Sequence, residues 1–327
     1  MVDSNLAFIS LILLFPISIF IFLFIIIRPR GIKIPIKGRH VFITGGSSGI
    51  GLSLAHRAAA EGAARVSILA RSKSKLEDAR NEIQLATGID VTVYSVDVRD
   101  FDAVKKAIED AGPIDVLVCN QGFAKPEEFE NQEMQDIKFM IDVNLMGTIH
   151  LIKAALPGMK NRKDGIPASI SITSSQVGQV GIYGYAGYAA SKFGLRGFAE
   201  SLQQEIIMDN IHVSLIFPPD TETPGFIEEN KTKPELTSIL SSSSGGMNAD
   251  EVAKKALDGI KSGSFVVSCN FEGFLLALAT AGLSPQRSSL IAFVEVFSAS
   301  ILRIVALCFQ WNWYSSIEKW QKTQKKQ

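Results

Sequence analysis

A tyrosine and a lysine stand four residues apart in the sequence YAASK, residues 188–192. On a helix, residues at this spacing are neighbours on one face. A phenol has an ordinary pKa of about 10, and a nearby ammonium favours the phenolate. We therefore expect Lys192 to lower the pKa of Tyr188 and to make this phenol a usable proton donor.

Two serines, Ser174 and Ser175, directly follow the β-branched run Ser169–Thr173, which predicts a strand. In a parallel sheet, the carboxyl ends of the strands carry the groups that contact ligands. The Tyr-x-x-x-Lys spacing alone is common in helices. Together with the upstream serines, it predicts a site of acid–base chemistry.

A glycine-rich loop, Thr44–Gly51, follows the predicted strand His40–Thr44 and precedes a predicted helix. Glycines in this context permit a tight turn, allow the backbone to approach a pyrophosphate, and bring the helix N-terminus towards the phosphate charge. The loop therefore predicts a dinucleotide site formed by Gly45, Ser47, Ser48, Gly49 and Gly51.

The second predicted strand ends at Ala70 and Arg71. An NAD enzyme places an acidic residue near this point to bind the ribose 2′-hydroxyl. The chain has no acid there, and Arg71, with Ser72 and Lys75 close by, can pair with a 2′-phosphate instead. We therefore predict NADPH as the cofactor, the alternative being that Arg71 is an ordinary solvated charge.

Strands and helices alternate between residues 37 and 270, which predicts βαβ units and a single doubly wound parallel sheet of the Rossmann type. The predicted strands are His40–Thr44, Val66–Ala70, Val91–Val96, Val116–Cys119, Ser169–Thr173, Val213–Phe217 and Phe265–Ser268. The predicted helices are Ile50–Glu61, Ser74–Thr87, Ala103–Ala111, Met134–Met159, Tyr188–Asp209 and Ala249–Lys261.

The composition narrows the classes of function. The chain has 327 residues, of which 46% are hydrophobic, and its 33 basic residues balance 33 acidic ones. Such a chain is too apolar for disorder, and it offers no overall basic surface for nucleic acid. Three cysteines without C-x-x-C spacing argue against a disulfide scaffold or a zinc site.

The N-terminal segment Leu6–Ile27 contains 22 uncharged residues. As a helix it is about 33 Å long, enough to cross a hydrocarbon core of about 30 Å. Basic residues follow it, which predicts that the rest of the chain faces the cytosol. Residues 1–36 are therefore predicted to be a transmembrane anchor and a basic linker, its charges being Arg28, Arg30 and Lys33.

Residues 271–327 form a second apolar region, which ends in a basic tail. Its pieces Gly273–Leu283 and Leu290–Ile301 are each too short to span comfortably, and charges interrupt the region. We expect a re-entrant hairpin or interfacial helices with a turn at residues 284–287. A dimer interface, or a cover for the soluble core, is the alternative.

The glycine loop, Ser175, and the pair Tyr188 and Lys192 together resemble the short-chain dehydrogenase/reductases over residues 38–270. The resemblance implies that Ser175 binds the substrate carbonyl, with Ser174 the less favoured choice, and that Asn144 holds a water relay to Lys192. The cofactor contacts that it implies are Asp97 at the adenine, and Val98, Asn120, Tyr188, Lys192, Pro219, Thr221 and Thr223. The stretch Cys119–Gly122 departs from the usual Asn-Asn-Ala-Gly and leaves the local packing at the adenine in doubt.

A narrower resemblance, in Phe217–Phe226 and the apolar ends, is to the membrane-bound branch that reduces long-chain amino ketones in sphingolipid synthesis. It implies an NADPH-dependent enzyme of the endoplasmic reticulum membrane that faces the cytosol, with a lipid ketone as substrate. Residues 222–247 would be a mobile flap over that substrate. A steroid or retinoid reductase and a non-catalytic membrane scaffold stay open as alternatives, as do a homo-oligomer and contacts with other enzymes of sphingolipid synthesis.

Overall fold

The computed structural model describes residues 2–27, 31–242 and 245–325. Its centre is a seven-stranded sheet in which every neighbouring pair is parallel. The strand order is β3-β2-β1-β4-β5-β6-β9. Strands β2 and β3 are therefore added on one side of β1, and the later strands, from β4 onwards, are added on its other side. The predicted Rossmann-type fold is confirmed.

The strands of the sheet lie within one or two residues of the predicted ones. They are β1 His40–Thr44, β2 Arg65–Ala70, β3 Val91–Ser95, β4 Val116–Cys119, β5 Ala168–Thr173, β6 Ile211–Phe217 and β9 Val266–Ser268. A separate two-stranded ladder pairs β7 Thr221–Glu222 with β8 Met247–Asn248.

The helices of the catalytic region are α2 Gly49–Ala60, α3 Lys73–Thr87, α4 Phe101–Ala111, α5 Met134–Met140, α6 Gly147–Lys160, α7 Ala186–Ile206, α8 Pro224–Asn230, α9 Glu235–Ser241 and α10 Ala249–Lys261. The apolar ends contribute α1 Val2–Ile27, α11 Phe271–Ala279 and α12 Ser289–Gln324.

Both faces of the sheet are covered, which explains why the central strands β1, β4, β5 and β6 are buried along their whole length. On β1, Phe42 belongs to the core that packs against α4, α6 and α7, whereas Val41 and Ile43 belong to the core that packs against α2, α3 and α10. This division follows from the alternation of side chains along a strand. The helices packed on both faces of the sheet hold in place the strand ends that carry the site.

Two predicted helix boundaries are confirmed by the residues that flank the helices. The Asn248 side chain accepts a hydrogen bond of 2.8 Å from the Glu251 backbone N–H and caps α10. Gly62, just after α2, has a φ of +82°, a conformation that a side chain would disfavour.

The helix predicted over Met134–Met159 is interrupted. Residues Ile141–Met146 form a π-helical turn between α5 and α6. Such turns are rare and frequently mark functional sites. This turn contains Asn144, one of the predicted site residues.

The prediction that both C-terminal pieces are too short to span was wrong for the second piece and confirmed for the first, whose helix α11 has 9 residues. The turn region, residues 280–288, separates α11 from α12, but α12 is one continuous helix of 36 residues, long and apolar enough to cross a membrane. Glu295 and Arg303 interrupt the apolar pattern without ending the helix, because Glu and Arg are good helix formers. Phe20 of α1 packs edge to face against Phe293 of α12, with ring centroids 5.7 Å apart.

The segment 222–247, predicted to be a flap, carries α8 and α9 and is closed at its base by the ladder of β7 and β8. Residues 243 and 244 within it lie outside the described part of the chain, as do Arg28 and Arg30 of the predicted basic linker.

Candidate active site

A cleft of about 860 Å³ opens at the carboxyl ends of the parallel strands. It lies where the strand order reverses beside β1, the position at which doubly wound sheets bind ligands. Its walls include the glycine loop after β1, the ends of β2, β4 and β5, the start of α7, and the flap. The cleft thus collects most of the residues singled out in the sequence.

The glycine loop fits the phosphates of a dinucleotide. Gly45 and Gly49 have φ values of +65° and +56°, which favour glycine, and Ser47 and Ser48 line the cleft beside them. A Cβ on Gly51 would overlap the carbonyl oxygen of Gly45. The loop therefore leaves an open cradle at the N-terminus of α2, where backbone N–H groups and the helix dipole favour an anion.

Replacement of Gly51 by alanine should weaken binding of a dinucleotide by at least about tenfold and destabilise the fold by about 1–3 kcal/mol, because the Gly45 backbone cannot move without opening the turn. Gly197→Ala is the matched control, since a Cβ there meets nothing within 4 Å in the exposed middle of α7. The control should leave binding unchanged and stabilise by about 0.5–1 kcal/mol. Fluorescence titration and thermal unfolding measure both. If both variants bound the dinucleotide equally well, the glycine loop would not be its phosphate-binding site.

The far end of the cleft carries positive charge suited to a ribose phosphate. Arg71 and Lys75 line it, and both are exposed. The guanidinium of Arg71 lies 6.0 Å from the centroid of the Phe139 ring, and that of Arg99 lies 4.7 Å from the same centroid. Arg99 was not predicted, because nothing in the sequence indicates that the turn after β3 reaches the same aromatic ring.

Asp97 lies beside this cluster and lines the cleft with Val98. Its carboxylate accepts hydrogen bonds from Arg99, the shortest being 2.7 Å from Nη2, and these bonds are the main reason that the pKa of Asp97 is lowered. Asp97 is therefore a fixed acceptor at the edge of the predicted adenine site.

The unusual stretch after β4 is well packed. The Thr44 hydroxyl accepts a hydrogen bond of 3.0 Å from the Asn120 backbone N–H, and it lies 2.5 Å from Gln121 Oε1. Gln121 Nε2 donates to the Thr148 hydroxyl at 2.9 Å. Gln121 thus joins β1, β4 and α6, and Asn120 is held at the cleft wall.

The structure separates the roles of the two serines. Ser174 is buried, and its hydroxyl donates to the Lys192 carbonyl at 3.1 Å, which attaches the end of β5 to α7. The Ser175 hydroxyl instead lines the cleft beside Tyr188, where it lowers the pKa of that phenol, and it accepts a hydrogen bond of 3.2 Å from the Val177 backbone N–H. The geometry therefore favours Ser175 over Ser174 as a carbonyl-binding group.

The expectation that Lys192 lowers the pKa of Tyr188 was wrong for this structure. Burial raises the pKa of Tyr188, and the Glu229 carboxylate raises it further, while the neighbouring Ser175 hydroxyl lowers it only in part. The Lys192 Nζ atom lies 5.5 Å from the Tyr188 ring centroid, over the ring face rather than at its hydroxyl. Tyr188 is consequently held in its protonated form.

Lys192 and Asn144 are buried behind this phenol. Lys192 Nζ donates to the Thr173 carbonyl at 3.0 Å, and burial lowers its pKa to about 8. The Asn144 amide donates to the Phe123 carbonyl and to the Ser191 hydroxyl, each at 2.9 Å. Asn144 therefore ties the loop after β4 to α7, which aligns the helix that carries Tyr188 and Lys192.

The segment after β6 brings its three predicted residues, Pro219, Thr221 and Thr223, to the cleft wall. The Thr221 hydroxyl donates to the Pro219 carbonyl at 2.7 Å, and the Thr223 hydroxyl accepts from the Phe226 backbone N–H at 3.1 Å, which caps α8. These bonds leave the segment rigid where it borders the glycine loop.

The flap and the segments it contacts contribute groups that the sequence did not indicate. Tyr185 donates a hydrogen bond of 2.5 Å to Glu229 Oε1, and Lys233 lies 3.5 Å from Asp220 Oδ2. All four residues line the cleft near Tyr188. No local pattern predicts this, because the ladder of β7 and β8 sets the position of α8 over the site.

Comparison with known proteins agrees with the fold and the site described above. The family model for short chain dehydrogenase matches residues 39–234. A short-chain dehydrogenase from Sphingobium yanoikuyae, solved in complex with NADPH, superposes with a TM-score of 0.62 at 26% sequence identity and covers 71% of this chain and 88% of that one.

Two relatives resemble nearly the whole chain. A 3-dehydrosphinganine reductase of Arabidopsis thaliana is 64% identical over 92% of both chains. A 3-ketodihydrosphingosine reductase of Bos taurus is 34% identical over 90% of this chain and 89% of its own length. Both similarities extend well beyond residues 39–234 and include part of the C-terminal apolar region.

Proposed function

This chain belongs to the short-chain dehydrogenase family and is an oxidoreductase, and we propose that it reduces the C3 ketone of 3-dehydrosphinganine to give sphinganine, with NADPH as the reductant. The observation that carries the proposal is the joint presence of a Ser175–Tyr188–Lys192 cluster in the cleft and the 64% identity to a reductase of that name. The positive end of the cleft at Arg71 supports NADPH over NADH.

The bound cofactor supplies a hydride to the ketone carbon, so that negative charge builds on the carbonyl oxygen. Ser175 donates a hydrogen bond to that oxygen, and Tyr188 gives it a proton, which completes the alcohol. The raised pKa of Tyr188 keeps the proton available at neutral pH. Lys192, beside the phenol, retains N–H donors for the ribose hydroxyls, and Asn144 would hold the relay that returns a proton from solvent.

An assay of the purified protein in detergent tests the proposal directly. We expect NADPH oxidation with 3-dehydrosphinganine to exceed that with a steroid or a retinoid ketone by at least about tenfold. A preference for either of the other ketones would favour the corresponding alternative, and no turnover with any of them would favour the scaffold.

We propose that the protein resides in the endoplasmic reticulum membrane, with α1 crossing the bilayer and the catalytic domain in the cytosol. The support is the uncharged run Leu6–Ile27 within α1, its basic flank, and the identity to reductases of a membrane lipid. If α12 also spanned, its lysine-rich end would lie on the far side, which the positive-inside bias disfavours. The segment from α11 through α12 is therefore proposed to associate with the bilayer without crossing it.

Removal of residues 1–30 should not release the protein from membranes, because the exposed apolar surface of α12 still binds the bilayer. Ile34 and Ile36 are buried in the core and must be kept. Only removal of both ends, residues 1–30 and 289–327, should move most of the protein to the soluble fraction. Carbonate extraction followed by sedimentation measures this. Full solubility after the N-terminal deletion alone would contradict the role given to α12.

Topology requires a separate test on the intact chain in sealed microsomes. Added protease should destroy the peptide that contains Tyr188, because the catalytic domain is exposed on the cytosolic side. A lumenal marker protein serves as the control for sealed vesicles. Full protection of the peptide would overturn the topology and favour a lumenal reductase.

A further inference from the structure

Glu229 is a carboxylate of the flap that the catalytic steps above do not use. It lies on α8 and lines the cleft. Its Oε1 atom accepts a hydrogen bond of 2.5 Å from the Tyr185 hydroxyl, and the Tyr185 ring centroid is 5.8 Å from that of Tyr188. The carboxylate therefore lies one aromatic side chain away from the phenol that protonates the substrate.

The two lysines near Glu229 are engaged by other groups. The short hydrogen bond of Glu229 comes from a neutral phenol, whereas the nearby Lys233 is held 3.5 Å from Asp220 Oδ2 and Lys192 donates to the Thr173 carbonyl. Burial raises the pKa of Glu229, even though the Tyr185 hydrogen bond and the two lysines lower it. Glu229 is half-buried, and a carboxylate that is partly removed from water gains from a cation or from several hydrogen bonds.

We propose that Glu229 binds the ammonium group of the substrate and thereby selects an amino ketone from other lipid ketones. This inference rests on the proposed function, in which the amine is carried by the carbon next to the reacting ketone. Because the two groups are adjacent in the substrate, a residue that binds the amine must lie close to Tyr188, and Glu229 is separated from Tyr188 by the Tyr185 ring alone. An ammonium has three N–H donors, and its hydrogen bonds to a carboxylate are charge-assisted and strong.

The same contact discriminates against neutral lipids. A steroid or retinoid ketone of similar apolar area brings no cation, so that its binding would leave the Glu229 carboxylate buried and uncompensated. Differences of this kind, in which a buried polar group loses its partner, separate substrates more strongly than differences in apolar contact do.

The test compares two ketones on the full-length enzyme: 3-dehydrosphinganine and 1-hydroxyoctadecan-3-one, which has the same chain and hydroxyl but no amine. We expect the wild type to prefer the amino ketone by about ten- to a hundredfold in kcat/KM. Glu229→Gln should lose this preference through a higher KM for the amino ketone, with the KM for the amine-free ketone changed less than about threefold. NADPH oxidation is the readout.

The matched control is Glu228→Gln, which removes the neighbouring charge of the same helix. Glu228 is exposed and pairs with Lys231 at 2.6 Å, so its loss should leave the preference intact. A wild type that reduces both ketones equally would overturn the assignment while the reductase function stands. An equal loss on both ketones in Glu229→Gln would also overturn it, since the glutamate would then act only through the flap or the pKa of Tyr188. A wild type inactive on the amino ketone would refute the proposed function and this inference together.

Discussion

Replacement of Tyr188 by phenylalanine should lower kcat by about 10²–10⁴-fold while NADPH still binds, because the change removes the proton donor and keeps the ring. The ring packs against Tyr185, with centroids 5.8 Å apart, so the cleft wall should persist. Steady-state kinetics and a fluorescence titration with NADPH measure the two effects separately.

The control for this variant is Tyr94→Phe, which removes a phenol hydroxyl from β3, where the ring packs against Phe42 at a centroid distance of 5.6 Å. That variant should keep its turnover. A Tyr188→Phe enzyme with more than about a tenth of normal kcat would show that another group protonates the product oxygen, and Ser175 would be the first to test.

The raised pKa of Tyr188 bears on the direction of the reaction. A ketone reduction needs a phenol that still holds its proton when the carbonyl oxygen becomes negative, whereas oxidation of an alcohol needs the phenolate. Burial and the Glu229 carboxylate both favour the protonated form. A substrate ammonium beside Glu229 would offset the second of these influences, so that the proton becomes easier to release only when the amino ketone is in place.

The sequence predicted those parts of the site that local chemistry determines. The glycine loop requires positive φ values and close backbone approach, and glycine meets these requirements better than other residue types do. Gly45, Gly49 and Gly51 could therefore be identified in advance. The spacing of Tyr188 and Lys192 was informative for a similar reason, since a helix places them on one face.

Properties that depend on tertiary packing were not predictable in this way. The predicted direction of the Tyr188 pKa shift was wrong. The shift depends on burial and on charges from residues distant in sequence, including Glu229 on α8. The π-helical turn at Asn144 has no local signature of its own. The continuity of α12 was missed because Glu295 and Arg303 read as interruptions in a hydrophobicity pattern, although neither residue ends a helix.

Replacement of Ala70 by aspartate together with Arg71 by alanine should lower the preference for NADPH over NADH by at least about a hundredfold. The new carboxylate at the end of β2 would repel a 2′-phosphate and accept a hydrogen bond from a 2′-hydroxyl, and the loss of Arg71 removes a charge-assisted partner. The preference should fall without fully reversing, because Arg99 remains beside Phe139, 4.7 Å from its ring centroid.

The ratio of kcat/KM for the two cofactors with the same lipid ketone measures this change. Arg80→Ala is the matched control, since Arg80 lies on α3, which follows Arg71, but pairs with Asp90 at 2.9 Å, away from the cleft. It should leave the ratio unaltered. If the double variant kept the original ratio, Arg71 would not bind the 2′-phosphate. Arg99 would then be the guanidinium that does, since it already stacks on the same ring and is held there by Asp97.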